Sequence, residues 1–150
     1  MPSRRASAPN VQASLPIPQG WFDKTMTVYA APLAPGDVMA ANIVVSRDAL
    51  AADEDFPSYC QRQADTFGGS LPGCSILSRV QGQFGTRIAE RIELEWSATT
   101  GRLHQLVVFI AAGEGVVVSF AASAAAKSFE SYRAQFEDSL SLLSITPNSG

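Results

Sequence analysis

The sequence has a single histidine, His104, and two cysteines, Cys60 and Cys74, in 150 residues. One imidazole and two distant thiols cannot supply the usual zinc ligand sets without unusual help from carboxylates, so no metal centre is expected. The cysteines form no CxxC pair and have no histidines around them; both are expected as small buried hydrophobes in a reducing compartment. Charge is also scarce. Charged residues make up 17% of the chain, the 11 Lys and Arg are scattered, and the net charge is -3, which leaves no basic footprint for nucleic acid. Long apolar runs are missing: the longest candidate, LVVFIAAGEGVVVSF, is broken by GEG, short of the roughly 20 residues a membrane-spanning helix needs. The start, MPSRRASAPNVQASLPIPQGW, lacks the apolar core of a secretory signal, so a cytoplasmic location is expected.

The motifs of common catalysts are absent as well: GxSxG, HExxH, a phosphate-binding Gly-Lys loop and GxGxxG. His104 lies in mid-strand among hydrophobes and reads as a satisfied structural residue. Glu93 and Glu95 share a strand face, as an acid/base pair could. They alternate with Ile92 and Leu94 as solvated residues do, with Arg91 on their face to supply opposite charge. No enzyme and no cofactor are expected.

What is present is apolar: 46% of the residues, enough to bury one core at this length. A single domain over 10–145 is expected, between a disordered lead at 1–9, rich in Ser, Pro and Arg, and a tail at 146–150. QASLPIP reads as a short edge strand, with Pro16 and Pro18 confining it to a border. TMTVYA, residues 25–30, alternates, placing Met26 and Val28 on one side and Thr25, Thr27 and Tyr29 on the other. A loop leads to ANIVVSRD, residues 41–48. DEDFPSYCQRQADTFGG predicts a helix, with acidic residues near its cap, Pro57 in the first turn and a Gly68-Gly69 stop. Its apolar stripe is Phe56, Tyr59, Cys60 and Phe67, interrupted by Gln63 at helical spacing. Four strands follow, SILSRVQG, RIAERIELEW, RLHQLVVFI and VVVSFAAS, joined by short turns that imply antiparallel neighbours. SFESYRAQFEDSLSLL closes the chain as an amphipathic helix with Phe129, Tyr132, Phe136, Leu140 and Leu143 in line and Ser128 or a neighbour as cap.

The expected order is βββαββββα, an α+β fold with a curved antiparallel sheet of about seven strands and two helices. Several strands break the alternation that a half-solvated strand shows. In ANIVVSRD, Ile43 and Val45 serve one face, while Asn42, Val44 and Ser46 make a mixed second face. In RLHQLVVFI, Gln105, Val107 and Phe109 share one face and His104, Leu106, Val108 and Ile110 the other. Two helices can cover one face of the sheet, so the second is expected to need a partner: a dimer mate, an apolar ligand or a client polypeptide.

LPIPQGWFDKTMTVY, the strand ending IVVSRD, the helix segment FPSYCQRQ followed by LPG, and RLHQLVVF run in order from about Leu15 to Phe109. In these pieces the chain resembles the Eag (effector-associated) chaperones of type VI secretion systems, a DcrB-related group with a PsbP-like fold. The resemblance implies a cytoplasmic chaperone, usually a homodimer and not membrane-embedded, that shields the N-terminal transmembrane helices of a secreted toxin effector of PAAR, Rhs or VgrG-linked type before export. By motif position, the apolar gripping pair falls on Met26 and Val28 and the polar contacts on Asn42, Ser46, Gln63 and Gln105. Val44 and Val107 share the faces of Asn42 and Gln105 and complete the expected client-binding set. Gln and Ser are what neighbouring helices use inside a bilayer, so apolar surface with sparse hydrogen-bonding groups suits such a client. A PsbP-like accessory or small-lipid-binding module, with its second face covered by its own dimer or an acyl chain, is the alternative.

Overall fold

The structure, a computed structural model, describes residues 13–33, 35–36 and 38–146. The lead expected at 1–9 lies outside the described residues, as does the tail beyond Thr146. The elements are β1 (Thr27–Ala30), β2 (Asn42–Ala49), α1 (Phe56–Ser70), β3 (Ser75–Phe84), β4 (Arg87–Ala98), β5 (Gly101–Gly113), β6 (Val116–Ala125) and α2 (Phe129–Ser141). All six strands form one antiparallel sheet in the order β1-β2-β6-β5-β4-β3. The expected α+β fold holds, with one strand fewer among the described residues. Residues 13–18, where the seventh was expected, form no strand. Pro16 and Pro18 fix φ and remove alternate N–H donors, and a turn follows in which the Trp21 N–H donates to the Pro18 carbonyl at 3.0 Å.

The β5–β6 hairpin is the GEG that interrupts the longest apolar run. Gly113, Glu114 and Gly115 all have positive φ, a conformation that glycine adopts without steric cost. At α1 the Asp55 carboxylate accepts the Ser58 N–H at 2.9 Å, capping the helix ahead of Pro57. The glycines at 68 and 69 do not stop it. The helix runs through them to Ser70 and ends where the Leu71 N–H donates to the Phe67 carbonyl ahead of Pro72, whose ring disfavours helical geometry in the preceding residue. Ser128 occupies the N-cap of α2 but makes no side-chain cap bond.

The two helices lie on opposite faces, and this corrects the expectation that both cover one. Phe129, Phe136 and Leu140 of α2 pack on Leu106, Val108 and Ile110 of β5 and Phe120, Ala122 and Ala124 of β6. Phe56, Tyr59, Cys60 and Ala64 of α1 pack on Ile92, Leu94, Val107, Phe109 and Val117 of the other face. β5 lacks alternation because α1 covers one of its faces and α2 the other, whereas β6 is covered by α2 on one face and meets the α1 cluster chiefly at Val117 on the other. Burial pushes the Cys60 thiol up to about 12, so it is an inert core residue; Cys74 is half-buried, and no disulfide joins the two.

Glu93 and Glu95 are not solvated strand residues. Both are half-buried beneath the start of α2, and the His104 ring lies between them, Nδ1 2.9 Å from Glu95 Oε2 and Nε2 2.8 Å from Glu93 Oε2. The same ring stacks on Phe129 at 4.0 Å between centroids. Arg133 of α2 donates to both Glu93 oxygens at 2.9 Å and also to Glu130, whereas Arg91 turns to Glu137. The Arg133 guanidinium, aided by His104, holds the Glu93 carboxyl down at about 2 against the cost of burial. Alternation alone missed this because the partners come from a neighbouring strand and a distant helix.

Candidate binding groove

Because α1 follows the strands, it covers only part of its face. Near its start the Tyr59 hydroxyl donates to Asp48 Oδ2 on β2 at 3.0 Å. Beyond its end the Ser97 N–H of β4 donates to the Pro72 carbonyl at 2.8 Å. On the β3 side, Arg79 donates to Gln61 of α1 at 2.8 Å and to the buried Glu90 at 2.7 Å. The helix therefore lies over β4 and β5, tied to the sheet at both flanks.

The rest of that face, over β6, β2 and β1, carries no helix or strand among the described residues. Directly paired residues of antiparallel strands share a face, so the register gives rows of side chains across the floor. One row is Ala30, Asn42, Ser123 and Gln105; the next is Val28, Val44, Ala121 and Val107; the third is Ser46, Ser119 and Phe109. Met26 precedes β1 on the same side as Val28. An apolar row thus runs between two rows that carry hydroxyls and amides. Tyr59, Gln63 and Phe67 of α1 form one wall of a groove of about 370 Å³, with Met26, Ser46 and Gln105 among its lining.

The structure brings most of the expected residues together. Met26 and Val28 are 59% and 58% exposed, and Asn42, Val44, Ser46, Gln63 and Gln105 are half-buried on the same side. Val107 is 5% exposed and forms the groove's foot, because α1 packs over it. Asn42, Val28 and Val44 belong to the open floor beyond the groove's deepest part. Gln105 is not a free amide. Its Oε1 accepts the Trp96 indole N–H at 2.9 Å, and its Nε2 donates to Ser123 Oγ at 2.7 Å, which leaves one N–H and one lone pair. Trp96 and Ser123 were not foreseen as polar partners of the site. The available signal was the indole N–H, which usually needs an acceptor when buried.

The short motifs turn out to be scaffolding. Arg47 of the SRD stretch reaches Asp23 at 3.6 Å, and Asp23 accepts the N–H and hydroxyl of Thr25, which shapes the approach to β1. Asp48 receives Tyr59; burial, with the neighbouring Asp48 carboxylate, pushes the phenol up, so it stays a donor. Tyr59→Phe is expected to cost about 1 kcal/mol, since it leaves a part-buried carboxylate one donor short. A lowering of the thermal midpoint by about 2–4 °C would register this.

Comparison with known proteins agrees with the geometry. The DcrB family profile matches residues 12–141. The chain belongs to the DcrB family. Among curated proteins none matches it. Among solved structures, this DcrB-family chain is similar to PA94 of Pseudomonas aeruginosa, a protein of unknown function and suggested regulator, at 23% identity and a TM-score of 0.79, covering 91% of this chain and 93% of that one. It is similar to the cyanobacterial PsbP (CyanoP) of Synechocystis sp. PCC 6803 at 10% identity and TM-score 0.54, covering 93% and 100%. LpqN of Mycobacterium tuberculosis, involved in cell envelope biogenesis, matches at 16% identity and TM-score 0.55, covering 83% and 86%. At these identities the likeness is one of fold, and the fold is PsbP-like. Among the described residues no helix is long and apolar enough to cross a membrane, and no group of three or more His, Cys, Asp or Glu is placed to hold a metal ion.

Proposed function

We propose that this DcrB-family protein is a non-enzymatic carrier that shelters an apolar helix of a client polypeptide. The observation that supports the reading is a helix-wide position on the sheet that no described helix or strand covers. Neighbouring helices on a sheet face pack about 10 Å apart, and two strands span about the same distance. With α1 over β4 and β5, the next position lies over β6 and β2, where Asn42, Val44, Ser46, Ala121 and Ser119 are half-buried and Ser123 is buried beside Gln105. The eight residues of β2 extend roughly 26 Å. A helix of about 17 residues covers that length, close to what crosses a bilayer.

The polarity suits such an occupant. A membrane-spanning helix offers apolar side chains with few hydroxyls and amides; the floor answers with an apolar row between rows of Asn, Ser and Gln. The groove's volume takes side chains, not a whole helix, so the client lies along it with its far side open to a further cover. With the resemblance to Eag chaperones, the reading extends to the N-terminal transmembrane helices of a type VI secretion effector, held in the cytoplasm by a homodimer before export.

A test uses a dye-labelled peptide of about 20 Leu, Ala and Ser residues with lysine ends. Anisotropy is expected to show saturable binding, and Gln105→Ala to weaken it roughly 5–30-fold through loss of about 1–2 kcal/mol of hydrogen bonding. Failure to bind the peptide, with saturable uptake of a fatty acid instead, would replace the carrier by a lipid-binding module.

A further inference from the structure

We propose that Trp96 and Ser123 set the sense of a hydrogen-bond row across the floor, so that Gln105 and Asn42 meet an occupant with hydrogens and select a helix carrying a spare oxygen acceptor. The nature of the occupant rests on the carrier reading above; the row itself does not. Four adjacent strands supply the row: Trp96 on β4, Gln105 on β5, Ser123 on β6 and Asn42 on β2. Gln105 pairs with Ser123 and Ser123 with Asn42, while Trp96 lies diagonally beside Gln105, two residues beyond Leu94, the partner of Gln105.

The indole fixes the direction. Its N–H donates and nothing in the ring accepts, so only the oxygen of the Gln105 amide can face it, at 2.9 Å. The amide nitrogen is thereby turned to Ser123 Oγ at 2.7 Å, and a hydroxyl that accepts there must give its own hydrogen elsewhere. Ser123 is 5% exposed, and among the described residues no acceptor takes that hydrogen. A buried O–H left unpaired is unfavourable, and the next side chain along the row is Asn42, half-buried and itself without a hydrogen bond among the described residues. Asn42 completes the row by turning its Oδ1 to Ser123, which leaves its Nδ2 hydrogens toward the open floor. The lone pair left on Gln105 stays at the β4 end, beneath α1. Every donor then points away from Trp96.

Such a floor discriminates by what its guest can accept. An unbroken apolar helix uses its mid-helix carbonyls internally, whereas a proline frees the carbonyl four residues before it, and serine or threonine brings an oxygen of its own. A guest of that kind satisfies the row. A purely hydrocarbon guest leaves its hydrogens covered and unpaired.

In the chain alone, nitrogen-15 spectra of the side-chain amides read the row. Trp96→Phe keeps a ring and removes the N–H. It is expected to move the amide signals of Gln105 and also of Asn42, about 14 Å away across three strand spacings and beyond the reach of the ring itself. Ser123→Ala, which removes only an oxygen, is the gentler second variant and is expected to move both the Asn42 amide and the Trp96 indole signals. Asn42 signals that stay in place in both variants overturn the row. Anisotropy then compares two labelled apolar peptides of about 20 residues. They differ at one central residue, O-methylserine or norvaline, an ether oxygen against a methylene of the same shape. The unaltered protein is expected to bind the ether peptide roughly fivefold tighter, and Trp96→Phe to reduce that preference to about twofold or less. A merely structural role for Trp96 would weaken both peptides alike and keep their ratio. Equal binding by the unaltered protein, or a preference that survives Trp96→Phe, overturns the proposal. Should Asn42 respond while neither peptide binds, the carrier reading fails with its occupant and the row stands.

Discussion

Val28→Asp is expected to lower capture of an apolar helix by roughly 100-fold or more while leaving the thermal midpoint within about 2 °C. Val28 is 58% exposed in the chain alone, so an aspartate there is solvated and the folded state loses little. Under a client helix the same carboxylate would sit in the apolar row with Val44 and Ala121, where neither offers it a hydrogen bond. Placing Asp against the middle of a membrane helix costs about 2.5–3.5 kcal/mol on insertion scales, or about two orders of magnitude in affinity. Val28→Leu, which keeps the row apolar, is expected to bind as the unaltered chain does. Anisotropy with the labelled peptide reads the binding, and thermal melts of both variants separate lost binding from lost fold. Unchanged capture by Val28→Asp would remove the floor over β1 and β2 from the site.

Glu93→Ala is expected to lower stability by about 2–4 kcal/mol, and with it the thermal midpoint by roughly 6–12 °C. The carboxylate joins Arg133 of α2 to His104 of β5, so its removal leaves two half-buried or buried donors without their main partner. The pH dependence has a definite sign. The folded carboxyl titrates at about 2, below its ordinary value of 4.5, so its contribution is complete above about pH 4.5 and is lost as pH falls toward 2. Glu93→Gln should therefore show a shallower acid limb in a denaturant titration than the unaltered protein. Equal acid limbs would mean that the ion cluster does not fasten α2.

Much of the fold was legible because its elements carry strong periodicity. Phe56, Tyr59 and Cys60 of α1 and Phe129, Phe136 and Leu140 of α2 are buried at the expected spacing. QASLPIP, residues 12–18, reads as an edge strand but forms none over 13–18, because proline is compatible with an edge strand and does not require one. The placement of the helices was illegible for another reason: an apolar stripe states that a helix is buried, not which side of a sheet buries it. The mixed face of β2 was visible in Asn42, Val44 and Ser46, yet its openness depended on α1 lying over β4 and β5. Gln105 stood out as polar on an apolar strand; its engagement by Trp96 and Ser123 required the register of three strands.

The fastening of α1 at both flanks, through Tyr59 to Asp48 and through Gln61 to Arg79, sets a fixed clearance between that helix and the open floor. A guest would be sorted by calliper as much as by greasiness: glycine, alanine or serine on the side turned to Gln63 and Phe67 passes, whereas a tryptophan ridge there stands off and loses the amides beneath. If the proposed carrier reading holds, its client helix should carry small residues one helical turn apart, a spacing set by this clearance.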